Sequence, residues 1–239
     1  MSCKIELEGV SQSFKTTTST ITLFEKLDIT VEQGQSYAIT GPSGSGKTSL
    51  LMLLSGLEKP TKGQGRFIKA ETVLPLDSLR SHVGFIFQQF HLLPELSALN
   101  NIALPLKLRG DKQAVAKAEH WLAKVGLSKR ADHRPSQLSG GEQQRVAIAR
   151  ALVFSPKFIF ADEPTGNLDQ GNASDISDML FECSQAHNAG LIIVTHSNEL
   201  ANKAQNIYSF TEGRLTLDCK NINSGPARHL TQHTGQQHA

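Results

Sequence analysis

Gln35-Ser36-Tyr37-Ala38-Ile39-Thr40-Gly41-Pro42-Ser43-Gly44-Ser45-Gly46-Lys47-Thr48, running on into Ser49-Leu50-Leu51-Met52-Leu53-Leu54-Ser55-Gly56-Leu57, is the stretch that decides the fold. Residues 35–40 have the length and apolar content of a short buried strand. Residues 47–57 are leucine-rich and read as a helix. The residues between fit GxxxxGK[ST] at each fixed position. Glycines at 41, 44 and 46 let the backbone turn tightly and aim several N–H groups at one point. The helix that follows adds the positive end of its dipole. Lys47 places a point charge on the β- and γ-phosphates of a nucleotide, and the Thr48 hydroxyl is a ligand for Mg²⁺. A glycine-rich turn with a surface lysine is the plain alternative, but it does not require a strand before it and a helix after it.

Taken alone, this loop specifies a nucleoside triphosphate and leaves ATPases, GTPases, kinases and helicases open. Outward from it, residues 5–10 and 21–31 alternate apolar and polar positions, which favours strands and a hairpin across the Thr/Ser-rich turn at 16–20. Residues 91–154 are mostly helical in pattern. In residues 111–125, Val115, Ala118, Leu122 and Val125 fall on one expected face, and Gly126 suits the position that ends the helix. Strand patterns at 157–161 and 191–195 flank a helical pattern at 172–186. Strands alternating with helices imply a parallel sheet with crossover helices. A last strand pair is expected near 207–210 and 214–217, with Glu212-Gly213 as its turn. Residues 63–76 read as short and irregular.

Lys157-Phe158-Ile159-Phe160-Ala161-Asp162-Glu163-Pro164 delivers two consecutive acids at the carboxyl end of an apolar strand, where parallel α/β sheets hold their ligands. Asp162 is expected to hold Mg²⁺ and Glu163 to polarise the attacking water as general base.

The bulk properties fit an intracellular globular protein. The chain has 239 residues, 38% apolar and 19% charged, with a net charge of +2. That suits one large domain, and no basic run suggests a nucleic-acid groove. Three widely spaced cysteines, Cys3, Cys183 and Cys219, form no CxxC pair and read as reduced thiols. No apolar run approaches the ~20 residues that span a bilayer, and residues 1–8 have no signal-peptide pattern. A polar stretch at 225–239 is expected to be a disordered tail, in which His229 and His233 are solvated rather than metal ligands.

Leu138-Ser139-Gly140-Gly141-Glu142-Gln143-Gln144-Arg145, followed by an apolar helix, separates the remaining candidates. Ser139 and the two glycines put donors at a helix N-terminus, a second anion site. With the loop and the paired acids, this string resembles the signature of the ABC-transporter ATP-binding domains, over about residues 4–217. The resemblance implies an α/β fold: a phosphate-loop core at about 1–88 and 155–224, with an antiparallel β subdomain, and an inserted helical subdomain at about 89–154. It implies a homodimer or ABC heterodimer that sandwiches two ATP with Mg²⁺. In that dimer Leu138, Ser139, Gly140, Gly141 and Glu142 bind the ATP held by residues 41–48 (Gly41, Pro42, Ser43, Gly44, Ser45, Gly46, Lys47, Thr48) of the other subunit. It makes Gln88 a Q-loop residue beside Mg²⁺, Asp169 a D-loop residue, His196 the switch histidine at the γ-phosphate, and Phe14 the aromatic that stacks on adenine.

It further implies an integral membrane permease as partner, and a cytoplasmic location on the inner face of the membrane. Residues 161–169 and 85–94 most resemble the lipoprotein-release, macrolide-export and cell-division branch. Ser197, where the family often has Asp, departs from the pattern. Of residues 90–96, Leu93 and Leu96 are expected to be buried and the others to form a groove for the permease. Alternatives are a soluble ABC ATPase that remodels ribosomes or DNA, an ATP-driven transmitter of force without cargo, and a binding module without turnover. One cassette, no heptad run and intact Lys47, Asp162, Glu163 and His196 weigh against the first and third. A phosphate-loop kinase or GTPase does not account for residues 138–145.

Overall fold

The computed structural model describes residues 2–17 and 19–218. The tail at 225–239, with His229 and His233, and Cys219 lie outside the described residues. Two sheets organise the chain. In the first, β2 (Thr20–Glu32), β1 (Cys3–Lys15), β4 (Lys62–Lys69) and β5 (Thr72–Pro75) lie in that order, all antiparallel. In the second the order is β10 (Arg214–Leu217), β9 (Asn206–Thr211), β3 (Ser36–Thr40), β8 (Gly190–Val194), β7 (Phe158–Asp162) and β6 (Val83–Ile86). Every pair in that sheet is parallel except β9 with β10.

The central strands are apolar without alternation because both of their faces are covered. In β7, Phe158 and Phe160 pack toward the antiparallel sheet with Phe67, Leu50 and Leu54, whereas Ile159 and Ala161 pack toward the helices with Ile148 and Ile176. Leu191 and Ile193 of β8 alternate with Ile192 and Val194 between the same two cores. Between β6 and β7 the chain inserts α2 (Ala98–Leu108), α3 (Ala114–Lys124) and α4 (Gly140–Leu152), which share one core with α5 (Gln170–Ala186). Cys3 and Cys183 are buried free thiols. No helix among the described residues is long and apolar enough to cross a membrane.

Four sequence expectations are corrected. Residues 62–75 are not irregular but form the β4–β5 hairpin. Its two-residue turn is Ala70-Glu71, with φ of 46° and 72°, so it lacks the Asn-Gly or Asp-Gly signal of such turns. Gly65 leaves room for two leucines there: a Cβ would lie 2.5 Å from Leu76 Cδ2 and 2.8 Å from Leu7 Cδ2, so those side chains would have to shift. The helix after the phosphate loop, α1 (Lys47–Leu54), stops three residues early. There the chain turns through left-handed Gly56, against the carbonyl of Leu76. In α3, Val115 is 42% exposed, and the buried stripe is Ala114, Ala118, Trp121 and Leu122. The helix buries its large Trp121, which rotates Val115 outward. Leu93 is likewise exposed, at 42%, while Leu96 is half-buried. What anchors that loop is polar: buried Asn101 accepts from Leu93 N–H at 2.8 Å and donates to the carbonyls of Leu93, Leu96 and Ser97.

Candidate active site

Four parallel strands end on one edge of the central sheet, and each carries a candidate segment at or just beyond its last residue. From β3 come residues 41–48, from β6 comes Gln88, from β7 come Asp162 and Glu163, and from β8 come Thr195 and His196. Together they enclose a cleft of about 520 Å³, within the range of small-ligand sites. Ser43, Gly44, Gly46, Lys47, Thr48, Gln88, Asp162, Glu163 and His196 line it. Leu23, Ser49 and Val194 also line it and carry no sequence signal, because nothing but tertiary packing brings them there.

The loop geometry depends on its glycines. Gly41 has φ 150°, and a Cβ there would sit 2.2 Å from the Phe210 carbonyl of β9. Gly46 caps α1 in the left-handed region, with φ 98°. Lys47 is only 7% exposed, and its ammonium donates to the carbonyls of Gly41 at 3.0 Å and Pro42 at 2.7 Å. Ser45 Oγ is buried with no hydrogen-bond partner. An orphan hydroxyl, a lysine and a helix N-terminus around one bend are a donor set that suits phosphate oxygens.

The Thr48 hydroxyl donates to Asp162 Oδ2 at 3.0 Å, so the two groups assigned to Mg²⁺ are already adjacent. Burial pushes the Asp162 carboxyl above its ordinary range. The Thr48 hydrogen bond opposes this, the Glu163 charge adds to it, and Lys47 opposes it. A divalent cation at that place would favour the ionised form. Hard oxygen ligands, a carboxylate and a hydroxyl, fit Mg²⁺. Gln88 stands on the other side, its side chain 3.4 Å from Asn167 Oδ1, while Asn167 donates to the Gln88 carbonyl at 2.9 Å.

Glu163 is a non-glycine residue in the left-handed region, φ 45°, and its carboxylate is held by several donors. Thr195 Oγ1 donates to Oε2 at 3.1 Å, His196 N–H donates to Oε1 at 3.1 Å, and His196 Nδ1 lies 2.8 Å from Oε1. An ionised carboxylate only accepts, so this pairing puts a proton on Nδ1. Glu163 is mostly shielded and the His196 ring is 71% exposed, so the acid is fixed while the imidazole faces the cleft mouth. Thr195 is fully buried and also accepts from Ser197 N–H at 3.0 Å, which positions the segment after the histidine.

Other sequence-derived residues lie outside the cleft. Phe14 is 43% exposed, so it is not a core residue, and it does not line the cleft of the single chain. Leu138 is buried, and Ser139 caps α4 in a reciprocal box: its Oγ accepts from Glu142 N–H at 3.3 Å, and its own N–H donates to Glu142 Oε2 at 2.8 Å. Arg130 donates to the other oxygen at 2.9 Å. These hydrogen bonds, Ser139 N–H first, hold the Glu142 carboxyl below its ordinary range. Both its oxygens are thus engaged within the chain. Asp169 caps α5, accepting from Asn172 N–H at 3.0 Å and its side-chain amide at 2.6 Å, which hold its carboxyl low. Asn172 in turn crowds the signature: a Cβ on Gly141 would lie 2.7 Å from Asn172 Oδ1, whereas one on Gly140 meets only ordinary contacts.

Residues 24–166 match the family model described as ABC transporter. The chain is 42% identical over 221 residues to the lipoprotein-releasing system ATP-binding protein LolD of Chromohalobacter salexigens, covering 90% of this chain and 93% of that one. It is equally 42% identical to the macrolide export ATP-binding/permease protein MacB of Rhodopseudomonas palustris, covering 90% of this chain and 34% of that longer one. Among solved structures, a dimeric ATP-binding cassette in a post-hydrolysis state with ADP and Pi superposes with a TM-score of 0.78 at 33% identity. That match covers 89% of this chain and 98% of the other.

Proposed function

Since this chain belongs to the ABC transporter family and is an ATP-hydrolysing subunit of such a transporter, we propose a mechanism in which two copies close head to tail around two ATP. The observation that carries this reading is a separation within one chain. Lys47, Gln88, Asp162, Glu163 and His196 converge on the cleft, while the Ser139–Gly141 helix start does not line it. A second chain's signature would supply the missing donors at the γ-phosphate. In that arrangement the loop N–H groups and Lys47 bind the phosphates. Thr48, Asp162 and Gln88 would hold Mg²⁺, which would supply neutralisation of the phosphate charge. Glu163 accepts the proton of the attacking water, His196 steadies the γ-phosphate, and exposed Phe14 covers the adenine. Catalysis is then mainly positioning and charge stabilisation.

The names of the relatives support the export branch, so the partner is proposed to be a membrane permease of the lipoprotein-releasing or macrolide-export kind. The chain would sit on the inner face of the membrane through that permease. The exposed loop at 93–95 beside Gln88 is its proposed docking edge. A cysteine at Glu95, exposed on that loop, is expected to crosslink to the co-expressed permease in an ATP-sensitive way. Full ATPase activity with no such contact under any partner co-expression would instead favour a soluble ABC ATPase.

The composite site is tested by mixing. Gly140→Asp places a carboxylate against the partner's γ-phosphate without the clash that Gly141→Asp would create with Asn172, and an acid at a helix start does not oppose the helix. Alone, Gly140→Asp and Lys47→Ala should each be inactive. Mixed, they form one site with an intact loop and an intact signature, so turnover should reappear. A mixture as inactive as its components would show that each site lies within a single chain.

A further inference from the structure

One half-buried cation has no task in the site just described. Arg150 lies in the last turn of α4, half-buried, and its Nη1 donates to the His91 carbonyl at 2.6 Å while Nη2 donates to the Phe90 carbonyl at 2.8 Å. Phe90 and His91 are consecutive non-glycine residues in the left-handed region, with φ of 43° and 46°. Such backbone is costly and persists where the surroundings over-determine it. His91 N–H donates to the Gln89 carbonyl, closing a tight turn directly after Gln88. A guanidinium is a rigid fork whose spacing matches two adjacent oxygen acceptors, and charge-assisted bonds of this length are the strong ones. Burial lowers the Arg150 pKa, and among the described residues its guanidinium is held by the two carbonyls, with no ion pair to a carboxylate.

The same segment reaches the other end of α4. A Cβ on Gly140 would lie 3.8 Å from Phe90 Cζ, so the Phe90 ring runs back along the helix toward its first residue. His91 is also pinned edge-on to Phe87, which stacks on Phe85 of β6. The turn after Gln88 therefore meets one rigid helix twice, by the Phe90 ring near its first residue and by the fork of a side chain that starts in its last turn.

We propose that Arg150 is a positioning residue for ATP hydrolysis: by clamping the carbonyls of Phe90 and His91 it makes the Gln88 turn move with the signature helix as one body. This rests on the reading that Gln88 acts at the nucleotide. Arg150 does not touch the nucleotide cleft, so nucleotide affinity is untouched when the clamp is lost, while the Gln88 geometry relaxes. Misplacements of about 1 Å cost up to roughly a hundredfold in rate.

The decisive variant is Arg150→Lys, which keeps the charge and the aliphatic stem but lacks the fork. Its kcat should fall about ten- to a hundredfold at unchanged KM and nucleotide Kd. Amide exchange at residues 89–93 should quicken while the rest of α4 keeps its protection. In Arg150→Ala, millimolar guanidinium ion should restore part of kcat. Wild-type turnover in Arg150→Lys, or lost turnover with unchanged exchange at 89–93, overturns the clamp. Gln88→Ala assayed in parallel separates the two readings. If it loses turnover while Arg150→Lys is normal, only the clamp fails; if it too turns over normally, the reading that Gln88 acts at the nucleotide fails.

Discussion

Glu163→Gln is expected to bind ATP normally and to stop hydrolysing it, accumulating as an ATP-bound dimer. Glutamine is isosteric: with its carbonyl in the place of Oε1 it still accepts from His196 N–H, its amide faces Thr195 Oγ1, a hydroxyl that can accept as well as donate, and the left-handed backbone at 163 is unchanged. What is lost is an oxygen able to take a proton from water. General-base catalysis contributes about 10²–10⁴-fold, so kcat should fall by at least that order. Since the phosphate loop and the signature are intact, ATP still joins the subunits. Light scattering with and without Mg-ATP should show a persistent dimer in the variant and a transient one in the wild type. Turnover close to wild type would remove Glu163 from the general-base role.

Lys47→Ala is expected to lose both binding and turnover. The ammonium sits inside the loop on the Gly41 and Pro42 carbonyls, so it shapes the bend as well as supplying charge. Hydrogen bonds to a charged group are worth about 1.5–3 kcal/mol, or roughly ten- to a hundred-and-fiftyfold in affinity for each one lost. Titration with a fluorescent ATP analogue measures this directly. Thermal unfolding distinguishes a lost phosphate contact from a collapsed loop. Unchanged affinity together with unchanged turnover would refute the phosphate-loop reading.

Both effects are large because their residues sit where a charge acts at short range in a partly dry cleft. The Gly140 and Arg150 variants act through geometry between elements instead, and they differ in what they spare. The first sets a carboxylate against the phosphate that, in the proposed dimer, another chain holds. The second leaves every ligating group in place and alters only how two segments of one chain move together.

The sequence alone determined the local machinery. Residues 41–48 specify their bend because glycine is the residue that tolerates the φ values found at 41, 44 and 46, and because Lys47 must follow directly. The unbroken apolar runs at 158–161 and 191–194 specified strands buried on both faces, hence a parallel sheet, and so placed Asp162, Glu163 and His196 on the same edge as the loop. The signature cap was legible too, since Ser139 and Glu142 are spaced as a capping box. Tertiary structure decided what has no local period. It turned residues 62–75 into a hairpin, because Gly65 fits beneath Leu7 and Leu76 and a turn of Ala70 and Glu71 is tolerated once both strands are paired. It exposed Leu93 and Val115, where Asn101 and Trp121 took the interior. It placed Thr195 against Glu163, Asn172 against Gly141 and Arg150 over Phe90 and His91. Each of the last three joins residues at least 31 positions apart through a contact that depends on where whole helices and strands settle, and one-dimensional patterns of polarity do not encode that distance.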